Sequence, residues 1–252
     1  MSELELIESE RDLEAQGVEF GSVDELRLFY SSLGESSSSS GLRFVECGDA
    51  FRTFALFDEA LESYGEAIAR DSRCLQAYVA RGELFFELAV CSRTDEEILR
   101  FGWRSVDDFR KALVLSLGAN EVVWQLAIAL LLVDDARGAQ ALADKVIMKG
   151  DALPGSVHCD FLYLLGLAKV FMDDQVGADE VFEELVKVDG GVEWGWFGKL
   201  VCCLSLSDGA GTEVILRQLQ VRDVALFEAG RRLQSSGCSR FVDVARASLE
   251  VW

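Results

Sequence analysis

The chain of 252 residues carries 24 basic and 44 acidic residues, a formal charge of −20, and half of it is hydrophobic. That is enough apolar material for a large core without staples. So acidic a surface repels phosphate backbones and anionic lipid heads, which argues against nucleic-acid binding and membrane insertion.

The opening MSELELIESE has neither a basic start nor an apolar core, so no secretory signal is read and a cytoplasmic location is expected. Ser22 and Glu25 form a capping-box pattern that starts a helix running to about Leu33. GESSSSSG (34–41) then reads as a flexible linker, which makes 1–40 an acidic N-terminal helix with its tether.

Beyond it the chain reads as helices joined by short turns. The only proline is Pro154, and proline breaks helix interiors, so its scarcity favours helix. Gly118, Gly150 and the Gly190–Gly191 pair mark helix ends, where glycine accepts the left-handed conformation. Thr94 with Glu97 forms a second capping box. VVWQLAIALLLV (122–133) is too short to span a bilayer and reads as a buried helix.

The units recur. In LRFVECGDAFRTFALFDEALESYGEAIARDS, Gly48 stands twelve residues before Ala60, with Phe51 between them and Tyr64 and Ala67 beyond. Gly82 lies 34 residues after Gly48 and is flanked by Tyr78 and Phe85, as Gly48 is by Phe44 and Phe51. Gly166 precedes Ala178 by the same twelve residues, and Gly198 precedes Ala210 likewise. Small residues at both points let paired helices approach closely, and the aromatics fill the space beside them. A third unit around Trp124 and Ala127 is degenerate, with Ile128 where glycine is expected.

This pattern resembles the tetratricopeptide repeat, a helix–turn–helix unit of about 34 residues. The resemblance covers residues 41 to about 217 in about five pairs. An insertion near 90–101 is expected to bulge or to form a short extra helix, and 218–252 are expected to be capping helices. It implies an all-α fold, a right-handed α-α superhelix of helix–turn–helix pairs. A helical solenoid or bundle without true repeats is the alternative.

No catalytic constellation can be assembled. His158, Cys159 and Asp160 are sequence neighbours, and catalytic partners normally meet through the fold. The carboxylate pairs Asp107/Asp108, Asp134/Asp135 and Asp173/Asp174 read as helix starts or turns. The seven cysteines contain no C-x-x-C pair and read as buried free thiols, so neither metal nor cofactor is expected.

The family register places Asp49, Arg52, Glu83, Phe86, Asp160, Tyr163, Phe171 and Lys199 on a concave groove formed by the first helix of each pair. Phe86, Tyr163 and Phe171 are expected as aromatic anchors. The cationic clamp that some family members use for carboxylate tails is absent, since Val45, Asp49, Val79 and Ala80 occupy its places. The expected role is a non-catalytic adaptor, scaffold or chaperone-like binder of a protein or peptide, best an apolar or weakly basic helix. A structural subunit of a larger complex or homo-oligomer is the alternative, an unrecognised enzyme a minor one. The alternative for every groove residue is that the chain's own N-terminal or C-terminal helix covers it.

Overall fold

The computed structural model describes residues 21–35, 40–148, 154–188, 192–238 and 240–248. The linker serines 36–39, the glycines at 150, 190 and 191, and the C-terminal Trp252 lie outside the described residues. Among the described residues there are thirteen helices and no strand. They are α1 (Val23–Glu35), α2 (Gly41–Thr53), α3 (Phe57–Arg70), α4 (Leu75–Cys91), α5 (Asp95–Leu115), α6 (Asn120–Leu132) and α7 (Ala136–Ile147). There follow α8 (Gly155–Val170), α9 (Gln175–Lys187), α10 (Val192–Ser205), α11 (Gly209–Arg222), α12 (Val224–Ser236) and α13 (Phe241–Ser248). The contacts divide the chain into two compact units, with the boundary after Leu84, inside α4.

In the first unit the α2–α3 pair sets the pattern. The Tyr64 ring lies flat against Gly48, where a Cβ would come within 2.3 Å of it, so only glycine fits. Ala60, Tyr64 and Ala67 are fully buried. The acidic helix α1 starts at the expected capping box, with the Glu25 N–H donating to Ser22 Oγ at 3.2 Å. It covers α2 through Tyr30, whose ring meets Phe44 and Phe51 edge-on at 5.7 Å each, a favoured aromatic geometry.

The turn inside the pairs recurs more strictly than the helices do. Ala55, Asp134, Asp173 and Ser207 all take a left-handed backbone, with φ of 58°, 66°, 62° and 57°. The next residue donates its N–H back five positions in every case: Leu56 to Phe51, Asp135 to Leu130, Asp174 to Lys169 and Asp208 to Cys203, at 2.8–2.9 Å. This closes one helix, and the donating residue is already the N-cap of the next. In the last three turns the cap is an aspartate whose Oδ1 accepts from a glycine N–H three residues on, at 2.9 Å for Gly138, 3.1 Å for Gly177 and 3.0 Å for Gly211. A Cβ at these glycines would stand 2.2–2.6 Å from the capping carboxylate. The sequences DDARG, DDQVG and SDGAG are therefore one device, a left-handed residue, a capping Asp and a glycine that leaves room for it.

This turn corrects the register of two pairs. Counted from the cap, the close-contact positions of α6–α7 are Ala127 and Ala139, both fully buried, so Ala127 rather than Ile128 stands in the glycine's place. In α10–α11 they are Leu200 and Thr212, and Ala210 is exposed in the first turn of its helix. Gly198 serves a different contact, because its missing Cβ makes room for Phe182 of the preceding pair. Phe182 also fills the space at Gly166, so one ring is held between two glycines. Asp107 and Asp108 lie mid-helix in α5 rather than at a start or turn, and Asp108 is buried.

In the second unit the 90–101 segment forms no bulge and no separate helix. It is taken up by the end of α4 and the first two turns of α5. Thr94 starts α5 early by accepting from the Glu97 N–H at 3.3 Å, which extends that helix to 21 residues.

The chain then turns back on itself. Helix α13 buries Phe241, Val242, Val244, Ala245 and Ala247 and packs on α12 and α6. Phe241 meets Phe171, the residue that closes α8, edge-on at 6.1 Å. Arg246 reaches the C-terminal end of α4, donating to the Val90 carbonyl at 2.7 Å and to the Ser92 carbonyl. Arg240 pairs with Asp95 at 2.7 Å. The Arg246 bond to Val90 satisfies a carbonyl that the end of α4 leaves without an intrahelical partner.

Candidate functional site

In the first unit, the expected site residues bind one another. Asp49 accepts a hydrogen bond from the Tyr64 hydroxyl at 2.7 Å, and burial, then this bond, raise the Tyr64 pKa. Arg52 pairs with Glu83 at 3.3 Å across two helices. The structure thus brings Asp49, Arg52 and Glu83 together in a network that joins α2, α3 and α4.

In the second unit, the C-terminal ends of the first helices are covered by the chain itself. Phe171 packs on Phe241. Phe86 is half-buried and packs against the same hydrophobic core. Lys199 is held by Asp179 at 3.1 Å and Glu183 at 3.2 Å. Burial alone would lower the Lys199 pKa, but these two carboxylates outweigh it and the net shift is upward. Phe171 is therefore not an exposed anchor, because the C-terminal helix occupies its face.

The N-terminal ends of the same helices are open. There a pocket of about 540 Å³ is lined by Asn120, Glu121 and Trp124 of α6, by Ser156, Val157, Cys159, Asp160, Phe161 and Tyr163 of α8, and by Trp194 of α10. The volume falls in the range of pockets that enclose a small ligand or a few side chains. Three consecutive pairs supply it through their first helices, which pack α6 on α8 and α8 on α10.

Aromatic rings form much of its wall. Trp194 lies 5.1 Å from Tyr163, centroid to centroid, and 6.0 Å from Phe197. Tyr163 is 7% exposed, and its hydroxyl has no hydrogen-bond partner among the described residues. Burial raises its pKa, with Cys238 adding a smaller push. Asp160 keeps exposed surface, yet the protein packed around its carboxyl raises its pKa above the usual range by desolvation alone.

Of the expected residues, Asp160 and Tyr163 belong to this pocket. Trp124 and Trp194 complete it, and the sequence reading missed them as site residues. Their signal was available: each is a tryptophan within the first five positions of a first helix.

No protein-family model matches the sequence, and no curated protein matches it. Solved structures do. A tetratricopeptide repeat protein from Parabacteroides merdae ATCC 43184 superposes with a TM-score of 0.69 at 13% identity, over 98% of this chain and 89% of that one. The fold is that of a tetratricopeptide-like helical repeat. The MamA protein is similar at a TM-score of 0.52 and 15% identity, over 78% of this chain and 94% of MamA. At such identities the likeness is one of fold, which superhelical packing of helix pairs carries without shared side chains. Among the described residues no helix is long and apolar enough to cross a membrane.

Proposed function

We propose that the protein is a non-catalytic binding module, acting as an adaptor or scaffold, and that it holds a peptide or helix of a protein partner at the N-terminal ends of α6, α8 and α10. One observation carries this reading. Where the chain covers its own first helices at one end, it leaves at the other an aromatic pocket built by three successive pairs. Trp and Tyr in such a setting carry a large share of binding energy, because they bury much area at little entropic cost. A repeat fold supplies such surfaces by stacking. A cytoplasmic location and the absence of a cofactor are part of the same proposal.

The test is quantitative capture by the full chain and by a Trp124→Ala/Trp194→Ala variant with matched melting temperature. The reading expects partners that the wild type retains and the variant loses. Equal retention by both would move binding off this pocket. An obligate oligomer that size exclusion never resolves to a monomer would favour a structural subunit instead.

A further inference from the structure

The pocket's carboxylates set the chemistry of what enters it. Asp160 and Glu121 both line it, and neither forms an ion pair among the described residues. No lysine or arginine is among the described residues that line the pocket, and on the same first helices Lys169 is paired with Asp174 at 2.9 Å and Lys199 with Asp179 and Glu183. Asp160 keeps exposed surface, but the pocket wall around it raises its pKa by desolvation, a cost that falls on its charged form. A ligand cation would relieve that cost.

The rings select among cations. Trp194, on the pocket wall, offers an indole to a planar, weakly hydrated guanidinium, which stacks on indole better than a compact ammonium does. The same group can meet a carboxylate with two parallel N–H donors. One feature of the site opposes this: the first turns of α6 and α8 present partial positive charge, which favours anions. That influence fades within a turn, and Asp160 lies in the second turn of α8. Glu121 lies in the first turn of α6 and offsets that helix end, which leaves the Asp160 carboxylate to meet a cation.

We propose that this pocket binds an arginine side chain presented by a peptide segment of the partner, the guanidinium stacked on Trp194 and paired with Asp160. The inference rests on the interaction reading above and narrows it to one chemistry.

The experiment uses the full chain, immobilised, with a positional-scanning library of blocked nonapeptides, followed by titration of the best binder. The library should enrich arginine at one position, and replacing that arginine by citrulline, which keeps shape and loses charge, should weaken binding at least about tenfold. Asp160→Asn should weaken it similarly, and the two changes together should cost no more than either alone. Enrichment of acidic peptides, equal binding of lysine, or an arginine preference that survives Asp160→Asn would overturn the proposal while leaving a binding module. Self-association that Asp160→Asn abolishes would assign the pocket to a second copy of the chain and overturn it too. Retention of no peptide by a folded wild type would contradict the interaction reading itself.

Discussion

The first helices of the second unit have two unlike ends. At their C-terminal ends, α12 and α13 return and bury Phe241, Val242 and Val244 against the core, while Arg246 caps α4. At their N-terminal ends, Trp124, Tyr163 and Trp194 surround about 540 Å³, with Asp160 and Glu121, which form no ion pair among the described residues, on its wall. The same helices thus serve stability at one end, and the proposed function places recognition at the other. A residue's place along its helix matters more here than the face it occupies: Tyr163 and Phe171 are both on the first-helix side, yet only Tyr163 reaches the pocket.

The largest effect should come from opening the closed end. Phe241→Ala should cost about 3–5 kcal/mol of stability, since it leaves a cavity beside Phe171. Denaturant melts would measure this, and a loss below about 1 kcal/mol would mean that α13 is only loosely docked. Arg246→Met should cost less, about 1–3 kcal/mol, because it strands carbonyls at the end of α4 while keeping the aliphatic packing. A rescue by Arg246→Lys would show that any cation suffices; the fork reaching two carbonyls predicts poor rescue.

The open end should respond differently. Tyr163→Phe removes a buried hydroxyl that has no partner among the described residues, so stability should hold or rise by up to about 1 kcal/mol. Tyr163→Ala, by contrast, removes a ring packed on Phe182 and Trp194 and should destabilise.

The smallest effect concerns pH. The folded Asp160 carboxyl binds its proton more readily than in the unfolded chain, whose value is near 3.8. Its contribution is therefore full below that value and is lost as pH rises through the raised folded value. Asp174, held low by Lys169, acts in the opposite sense, losing its contribution as pH falls. The Asp160 effect is isolated by difference. Wild type minus Asp160→Asn should show stability falling across this acidic window, with Glu121, Cys159 and Tyr163 the other titratable groups on the wall. A flat difference would mean the carboxyl is freely hydrated.

Much of the fold is legible in the sequence because close helix approach leaves a strong mark. Gly48 with Tyr64 and Gly166 with Phe182 are pairs that no larger residue permits. A glycine does not say which helix it faces, though, and Gly198 was paired with Ala210 when its space belongs to Phe182 of the preceding pair. The turns DDARG, DDQVG and SDGAG carry a firmer mark that the sequence reading leaves unused, since an aspartate cap and its glycine fix the start of a helix to the residue. The site was only half legible. Asp160 and Tyr163 follow from helical register, whereas the cover over Phe171 comes from a residue seventy positions later, a contact that no local pattern encodes.

The central claim is that the N-terminal ends of α6, α8 and α10 receive the partner while the C-terminal ends stay closed. Hydrogen exchange of the full chain, with and without the best-retained arginine nonapeptide, tests it most directly. The account predicts slower exchange over 120–124, 155–163 and 192–197, with 241–248 unchanged. Protection at α13, or faster exchange there as it is displaced, would place the binding surface at the end assigned here to stability.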